Sequence, residues 1–214
     1  CTLSSPHMYI PPYFTETDST RRQDLIESHS FATVISTVDG LPVASHLPLL
    51  FEPDQGPNGR LIGHMARANP QWKQMQGCPA LAVFTGPHAY ISPSWAGAEN
   101  LVPTWNYVAL HATGEARLVD DPDELLDIVR RTVEFHEADM PAPWSLDSNE
   151  ADFNHRLLGA IVGFSIDIDR IECACKLSQN HPAERREQVI EGLRETDHAP
   201  SKQIADLMES TLES

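Results

Sequence analysis

Short stretches in which apolar and polar residues alternate run through most of the chain and predict β-strands. The longest stretch, Tyr107 to Val119, places the apolar side chains Val108, Leu110, Ala112, Ala116 and Leu118 on one face. Two further strands, 32–38 and 41–51, flank Asp39-Gly40, a dipeptide typical of a two-residue hairpin turn. Shorter strands are predicted at 61–64, at 80–84 and around 164–168. This pattern favours antiparallel pairing.

Helices are predicted between and after these strands. One covers 18–30, and a short one follows Asn69-Pro70. Another starts with Asp121 as N-cap, Pro122 at the first helical position and Glu124 at capping-box spacing. An acidic, proline-containing loop is expected over 137–152, and two helical pieces with apolar stripes from residue 182 onward.

Many short strands with flanking helices indicate a mainly β fold of the α+β class, a barrel or a sandwich. We expect a barrel domain over residues 8–180 and a helical tail over 181–214 that docks on the barrel or on a partner subunit. Residues 1–7 are expected to be a remnant of cloning, since His7-Met8 has the form of a vector junction.

The net charge restricts the partners. Fifteen basic and 31 acidic residues give −16, which repels phosphate backbones and anionic membranes and makes direct DNA binding unfavourable. The sequence shows no transmembrane stretch and no signal peptide, and four cysteines are too few for a disulfide framework. A cytoplasmic location is therefore expected.

Standard catalytic motifs such as a glycine-rich phosphate loop, HExxH or GxSxG are missing from the sequence. Instead, polar and aromatic residues cluster in five blocks: His46-Leu47-Pro48, Gly63 to Trp72, Tyr90 to Trp95, Val102 to Tyr107 and Lys176 to Asn180. Blocks of this composition indicate a binding site built from loops.

In this order, the five blocks resemble the signature of the PaiB-type FMN-binding negative transcriptional regulators, and the resemblance covers the chain from Met8 to the C-terminal helix. It implies a Greek-key split β-barrel similar to the pyridoxamine-phosphate oxidase group. It also implies a homodimer with FMN at the subunit interface. Family members are negative regulators linked to protease production and sporulation.

Ten residues are candidates for cofactor contacts. Arg67 can bind the FMN phosphate, and Asn69 opens a helix whose N-terminus also favours phosphate; the alternative for Arg67 is an ion pair with a carboxylate. Two tryptophans can form a wall for the flavin ring or can pack in the core. Polar residues can contact the ring edge or can act as caps and turns. The full set is His46, His64, Arg67, Asn69, Trp95, Trp105, Asn106, Lys176, Ser178 and Gln179.

Histidines and cysteines leave further alternatives open. His46, His64 and His111 lie on or near predicted strands, where they can converge on a metal or haem or act as ordinary structural residues. Cys173 and Cys175 share a strand face and are expected to be small buried apolar residues. No metal site and no catalytic residue is assigned from the sequence.

Two positions depart from the family pattern. Ala96 to Glu99 replaces the usual Tyr and Lys after Trp95, and Ala174 stands where a Lys is common. Both changes remove positive charge near the expected flavin and argue against full FMN occupancy, while the barrel does not depend on them. The sequence thus predicts a flavin-binding protein with a regulatory or binding role. The alternative is an enzyme using the same cleft: a flavin-dependent oxidoreductase, or a cofactor-free or haem-linked catalyst.

Overall fold

The computed structural model describes residues 7–96 and 102–212, which form six strands and five α-helices. The strands are β1 (Phe31–Val38), β2 (Leu41–Glu52), β3 (Arg60–Ala66), β4 (Cys78–Ile91), β5 (Thr104–Val119) and β6 (Ile161–Lys176). The α-helices are α1 (Ser19–Ser28), α2 (Pro122–Glu137), α3 (Ala151–Leu158), α4 (Ala183–Arg194) and α5 (Ala199–Ser210). Short 3-10 helices occur at Pro12–Phe14, Pro70–Gln74, Pro93–Ala96 and Leu146–Ser148.

The six strands close into a barrel in the order β1-β2-β3-β6-β5-β4. The pairs β1–β2, β2–β3, β3–β6 and β1–β4 are antiparallel. Because β3 lies beside β6, and β5 and β4 follow, the last four strands form a Greek key. The predicted fold, a mainly β barrel of Greek-key type with flanking helices, is confirmed.

Contacts along the chain define two compact units. The barrel unit comprises Gln23–Phe84 and His111–Ile171, and the terminal unit comprises Cys1–Arg22, Thr85–Leu110 and Glu172–Ser214. Strands β4, β5 and β6 each pass from one unit into the other. This division places α4 and α5 in the terminal unit together with parts of these strands. The predicted boundary at residue 180 and the docking of the helical tail stay predictions.

The β1–β2 hairpin and the start of α2 form as their sequences predict. Asp39 and Gly40 have φ values of 51° and 80°, the left-handed conformation of a tight primed turn. At the start of α2, the Asp121 side chain accepts a hydrogen bond from the backbone N–H of Asp123 at 2.8 Å. Ile128 of α2 packs against Leu50 and Ile62 of the barrel. Helix α2 therefore covers one side of the barrel.

Three regions differ from the predictions. Strand β4 continues through Gly86 and Pro87 to Ile91, where the sequence indicated a loop, because its side chains keep alternating between buried and exposed positions. Strand β5 begins at Thr104, so Trp105 and Asn106 lie on a strand and not in a loop. Helix α3 was not predicted, and the helix expected after Asn69 is a short 3-10 helix.

Within the terminal unit, α4 and α5 bury the apolar stripes that the sequence identified. Val189, Ile190 and Leu193 of α4 and Ile204 and Met208 of α5 are buried. Residues 1–6 of the expected cloning remnant lie outside the described residues, while His7 is hydrogen-bonded to Glu172 at 3.1 Å. No helix in the described part of the chain is both long and apolar enough to cross a membrane.

Candidate functional site: an arginine-rimmed cavity

The ten predicted site residues divide between the two units. His46, His64, Arg67 and Asn69 lie in the barrel unit. Trp95, Trp105, Asn106, Lys176, Ser178 and Gln179 lie in the terminal unit.

Arg67 follows the end of β3, and backbone carbonyls hold its side chain. Its Nε donates to the carbonyl of Gly159 and its Nη2 to that of Ile161, both at 2.8 Å. The expected alternative, a carboxylate partner, does not occur among the described contacts of Arg67. Since guanidinium has five N–H groups, these two bonds orient the side chain and leave the Nη1 edge for another acceptor.

Arg67 borders a cavity of about 380 Å³ in the barrel unit. Its other polar lining residues are Trp72, Asp120 and His155, and the rest of the wall is mostly apolar and comes from the end of β5, α2, α3 and β6. The Trp72 indole donates to the Arg67 carbonyl at 3.0 Å, and its ring lies 5.9 Å from the Arg67 guanidinium carbon. The volume lies within the range of about 300–1,000 Å³ that is usual for small-molecule sites.

Trp72, Asp120 and His155 were missing from the predicted site. Trp72 stands in the same sequence block as Arg67, so its position along the chain was an available signal. His155 lies on α3, the helix that the sequence did not reveal.

Asn69 acts as a cap in the barrel unit. Its side-chain oxygen accepts from the backbone N–H of Gln71 at 3.0 Å, and its amide donates to Ser45 Oγ at 2.7 Å. Both ends of the amide are therefore bound within the protein.

The two barrel histidines have different surroundings. His46 is exposed on β2 and shares a 3.0 Å hydrogen bond with Thr33. His64 lies on β3, where its Nδ1 is buried without a hydrogen-bond partner and burial lowers the pKa of its imidazole. In the part of the chain that the structure describes, no three His, Cys, Asp or Glu side chains are placed to hold a metal ion.

Internal hydrogen bonds hold three polar candidates of the terminal unit in place. Asn106 is fully buried and exchanges hydrogen bonds with Ser178 Oγ at 3.0 and 3.2 Å. Ser178 is held in the left-handed conformation with φ 63°. Gln179 donates to the Cys175 carbonyl at 2.6 Å and accepts from the N–H of Leu177 at 2.8 Å. These contacts indicate a structural role for the three side chains.

The two candidate tryptophans differ in exposure. Trp95 packs so closely on α4 that a Cβ at Gly192 would lie 2.4 Å from its ring. Trp105 is 53% exposed and forms a surface cluster with His88 and Tyr90, at centroid distances of 6.2 and 6.0 Å. Lys176 donates to the Trp105 carbonyl at 2.6 Å and to Thr104 Oγ1, and burial lowers the pKa of its ammonium group.

The cysteines and the departures from the family pattern also have defined surroundings. Cys173 is buried, as expected, and its hydrogen bond with the half-buried Cys175 raises the pKa of the Cys173 thiol. Ala174 is 1% exposed and pairs with Thr15, so this position faces no open cleft in this chain. The side chain of Ala96 and residues 97–101 lie outside the described residues.

Comparison with known proteins establishes the family. Residues 8–170 match a family described as "Putative FMN-binding domain". The chain belongs to this FMN-binding domain family. A relative, "Protease synthase and sporulation protein PAI 2" of Bacillus subtilis, is 40% identical over 206 residues, which cover 96% of this chain and 98% of that protein. The resemblance to PaiB-type proteins is thereby confirmed. The description of the family names FMN, which is the predicted cofactor.

Solved structures support the barrel fold. The flavocytochrome Anf3 of Azotobacter vinelandii aligns with a TM-score of 0.57 at 15% identity, covering 78% of this chain and 72% of that one. The FAD and heme binding protein of Mycobacterium smegmatis aligns with a TM-score of 0.55 at 18% identity, covering 83% and 80%. At these identities, the likeness concerns the fold alone.

The barrel unit of this FMN-binding family member has features that fit the cofactor. Arg67 is pre-oriented at a cavity of suitable volume and keeps N–H groups for a phosphate. The buried Nδ1 of His64 in this unit also lacks a hydrogen-bond partner, but His64 does not line this cavity. Asp120 is the opposing charge in the cavity wall, so the phosphate would have to bind on the Arg67 side.

Proposed function

We propose that the protein is an FMN-binding regulatory protein in which Arg67 of the barrel unit holds the FMN phosphate. One observation carries this proposal: two backbone carbonyls hold the Arg67 guanidinium at the rim of the cavity, with its Nη1 edge unused. An arginine fixed in this way loses little side-chain entropy when it binds a phosphate.

The neighbouring residues have separate roles in this proposal. Trp72 offers a flat apolar surface beside the guanidinium, and apolar side chains such as Leu118 and Leu125 line the cavity. His64 does not line this cavity, so it has no part in the proposed phosphate contact. When bound, FMN supplies a redox-active ring system.

Titration of the protein with FMN and with riboflavin tests this proposal. We expect FMN to bind at least about tenfold more tightly, because only FMN carries the phosphate and a charged hydrogen bond contributes about 1.5–3 kcal/mol. Quenching of flavin fluorescence measures both affinities. Equal affinities would contradict phosphate recognition at Arg67.

The regulatory part of the proposal concerns the output of the protein. It is supported by 40% identity to a Bacillus subtilis protein named for protease synthesis and sporulation. The net charge of −16 makes a direct contact with DNA unfavourable, so we propose that the output is binding of a small molecule or a protein. A cytoplasmic location fits the free thiols of Cys78, Cys173 and Cys175.

A DNA-binding measurement distinguishes binding of a small molecule or protein from the DNA binding expected of a repressor. With −16 net charge, we expect no salt-sensitive binding to random duplex DNA near physiological ionic strength. Fluorescence anisotropy with a labelled duplex at two salt concentrations measures the DNA affinity and its salt dependence. Sub-micromolar binding that weakens steeply with salt would contradict this expectation and support direct DNA recognition.

We also propose that the protein is a homodimer that uses the cluster of His88, Tyr90 and Trp105. Tyr90 is 47% and Trp105 53% exposed, and exposed aromatic clusters are typical of protein interfaces. Light scattering should give about twice the chain mass of 23.8 kDa. Trp105→Asp should shift the protein toward monomer, whereas Trp144→Asp, at another exposed tryptophan, should not. A monomeric wild type at micromolar concentration would refute the dimer.

A further inference from the structure

A small cavity in the terminal unit combines basic side chains with hydroxyl groups. It lies between the turn after β4, the start of β5 and the N-terminus of α4, and its volume is about 20 Å³. That volume admits one water-sized group. Its polar lining residues are Ser92, Thr104, Ser178, His181, Arg185 and Arg186.

Arg186 is the most unusual residue of this cavity. Its side chain is buried, with 8% exposure, and its Nη2 donates to the carbonyl of Met208 and to Thr211 Oγ1. Its Nε is buried and lacks any hydrogen-bond partner. No carboxylate contacts Arg186 in the part of the chain that the structure describes. A buried cation without a counter-charge is costly, and a bound anion would remove that cost.

Other basic groups lie around the same point. Arg185 and His181 line the cavity, and burial, followed by the charges of Arg185 and Lys176, lowers the pKa of His181. Within residues 7–96 and 102–212, no ion pair links Lys176, His181 or Arg185 to a carboxylate. Acidic residues outnumber basic ones by 31 to 15 in this chain, so an unpaired basic cluster is unexpected unless something else neutralises it.

The N-terminus of α4 adds further donors. The helix has 12 residues and starts after Pro182, which provides no side-chain cap, so its first backbone N–H groups lack a partner of that kind. Helix N-termini favour anions and disfavour cations. His181, Arg185 and Arg186 nevertheless lie beside or within the first turn. Glu184, the acidic residue of that turn, is exposed and does not line the cavity.

We propose that Arg186, Arg185 and His181 form an anion site for a phosphate-type oxyanion, distinct from the flavin site in the barrel unit. One oxygen enters the cavity and accepts from Arg186 Nε, and the remaining oxygens face Arg185, His181 and the N-terminus of α4. A dianion matches this cluster better than a monoanionic carboxylate does. The ligand is inorganic phosphate or the terminal phosphate of a small phosphomonoester.

Thermal unfolding with increasing inorganic phosphate, against sodium chloride at equal ionic strength, tests the site. We expect saturable stabilisation of the wild type by phosphate and not by chloride. Arg185→Gln should weaken phosphate binding by about tenfold or more, because a charged hydrogen bond is lost. Arg185 is half-buried and makes no described structural contact, so this variant should fold normally. Arg21→Gln, which removes an exposed arginine of the same unit, should bind phosphate like the wild type.

Two further measurements identify the ligand and the site. Tighter binding of glycerol phosphate than of inorganic phosphate would assign the site to a phosphomonoester, and the reverse order would assign it to the free ion. His181→Gln should weaken both. Phosphate stabilisation that is unsaturable, or unchanged in Arg185→Gln, would overturn the proposal. Competition between phosphate and FMN, together with loss of FMN affinity in Arg185→Gln, would also overturn it, because the cluster would then belong to the flavin site.

Discussion

Replacement of Arg67 by alanine is expected to weaken FMN binding by about ten- to a hundredfold and to leave riboflavin binding almost unchanged. The phosphate is the largest charge on FMN, and Arg67 is the arginine that borders the barrel cavity. Riboflavin lacks the phosphate and so does not depend on this contact. Fluorescence titration of both ligands into the wild type and the variant measures the two ratios.

Arg67 also has a structural role that the control variants must separate from phosphate binding. Its bonds to the carbonyls of Gly159 and Ile161 join the chain just after β3 to the end of α3 and the first residue of β6. Because the side chain is exposed, its loss should lower the free energy of unfolding by only about 1 kcal/mol. Arg67→Lys keeps the charge but loses the planar fork, so its FMN affinity should be intermediate.

Arg130→Ala is a matched control for charge, since Arg130 forms an exposed ion pair with Asp147 in the same unit. It should leave both affinities unchanged. Equal losses of FMN and riboflavin in Arg67→Ala would show that Arg67 supports the cavity without contacting the phosphate.

Gly114→Ala is expected to produce the largest loss of stability. A Cβ at Gly114 in β5 would lie 2.0 Å from the carbonyl oxygen of Asp167 in β6, and backbone atoms cannot move aside as a flexible side chain can. We expect a cost of about 3 kcal/mol or more, which lowers the melting temperature by roughly 6–12 °C for a chain of this size. Thermal unfolding followed by circular dichroism measures the shift.

Gly159→Ala provides the control for this substitution. Gly159 ends α3 with helical φ and ψ, and a Cβ there would meet its nearest described neighbour at an ordinary 3.5 Å. Its melting temperature should therefore stay within a few degrees of the wild type. A Gly114→Ala protein as stable as Gly159→Ala would contradict the close approach of β5 and β6.

Local signals in the sequence were sufficient for much of the fold. The Asp39-Gly40 turn and the Asp121 cap each depend on a few neighbouring residues, and both form as predicted. The continuation of β4 through Gly86 and Pro87 could not be predicted, because those residues usually end a strand and only its neighbours in the barrel sustain it. Helix α3 is eight residues long and offered too short a pattern to distinguish it from a loop.

The candidate site was harder to predict because its contacts join distant parts of the chain. The two carbonyls that hold Arg67 lie 92 and 94 residues away in the sequence. No local sequence pattern can predict such partners. Asn106 and Ser178 were recognised as notable polar residues, but only the folded chain shows that they bond to each other across 72 positions. Arg186, whose buried Nε lacks a partner, was not a candidate at all, since no sequence pattern predicts the burial of a single arginine.

The visible absorption spectrum of the purified protein, incubated with excess FMN and then desalted, tests the central proposal most directly. The account predicts that the bands of oxidised flavin remain with the protein and shift from those of free FMN, as expected for a ring that binds against the protein side chains of the cavity. A protein that retains no flavin absorption after desalting, or that carries a haem band in its place, would contradict it.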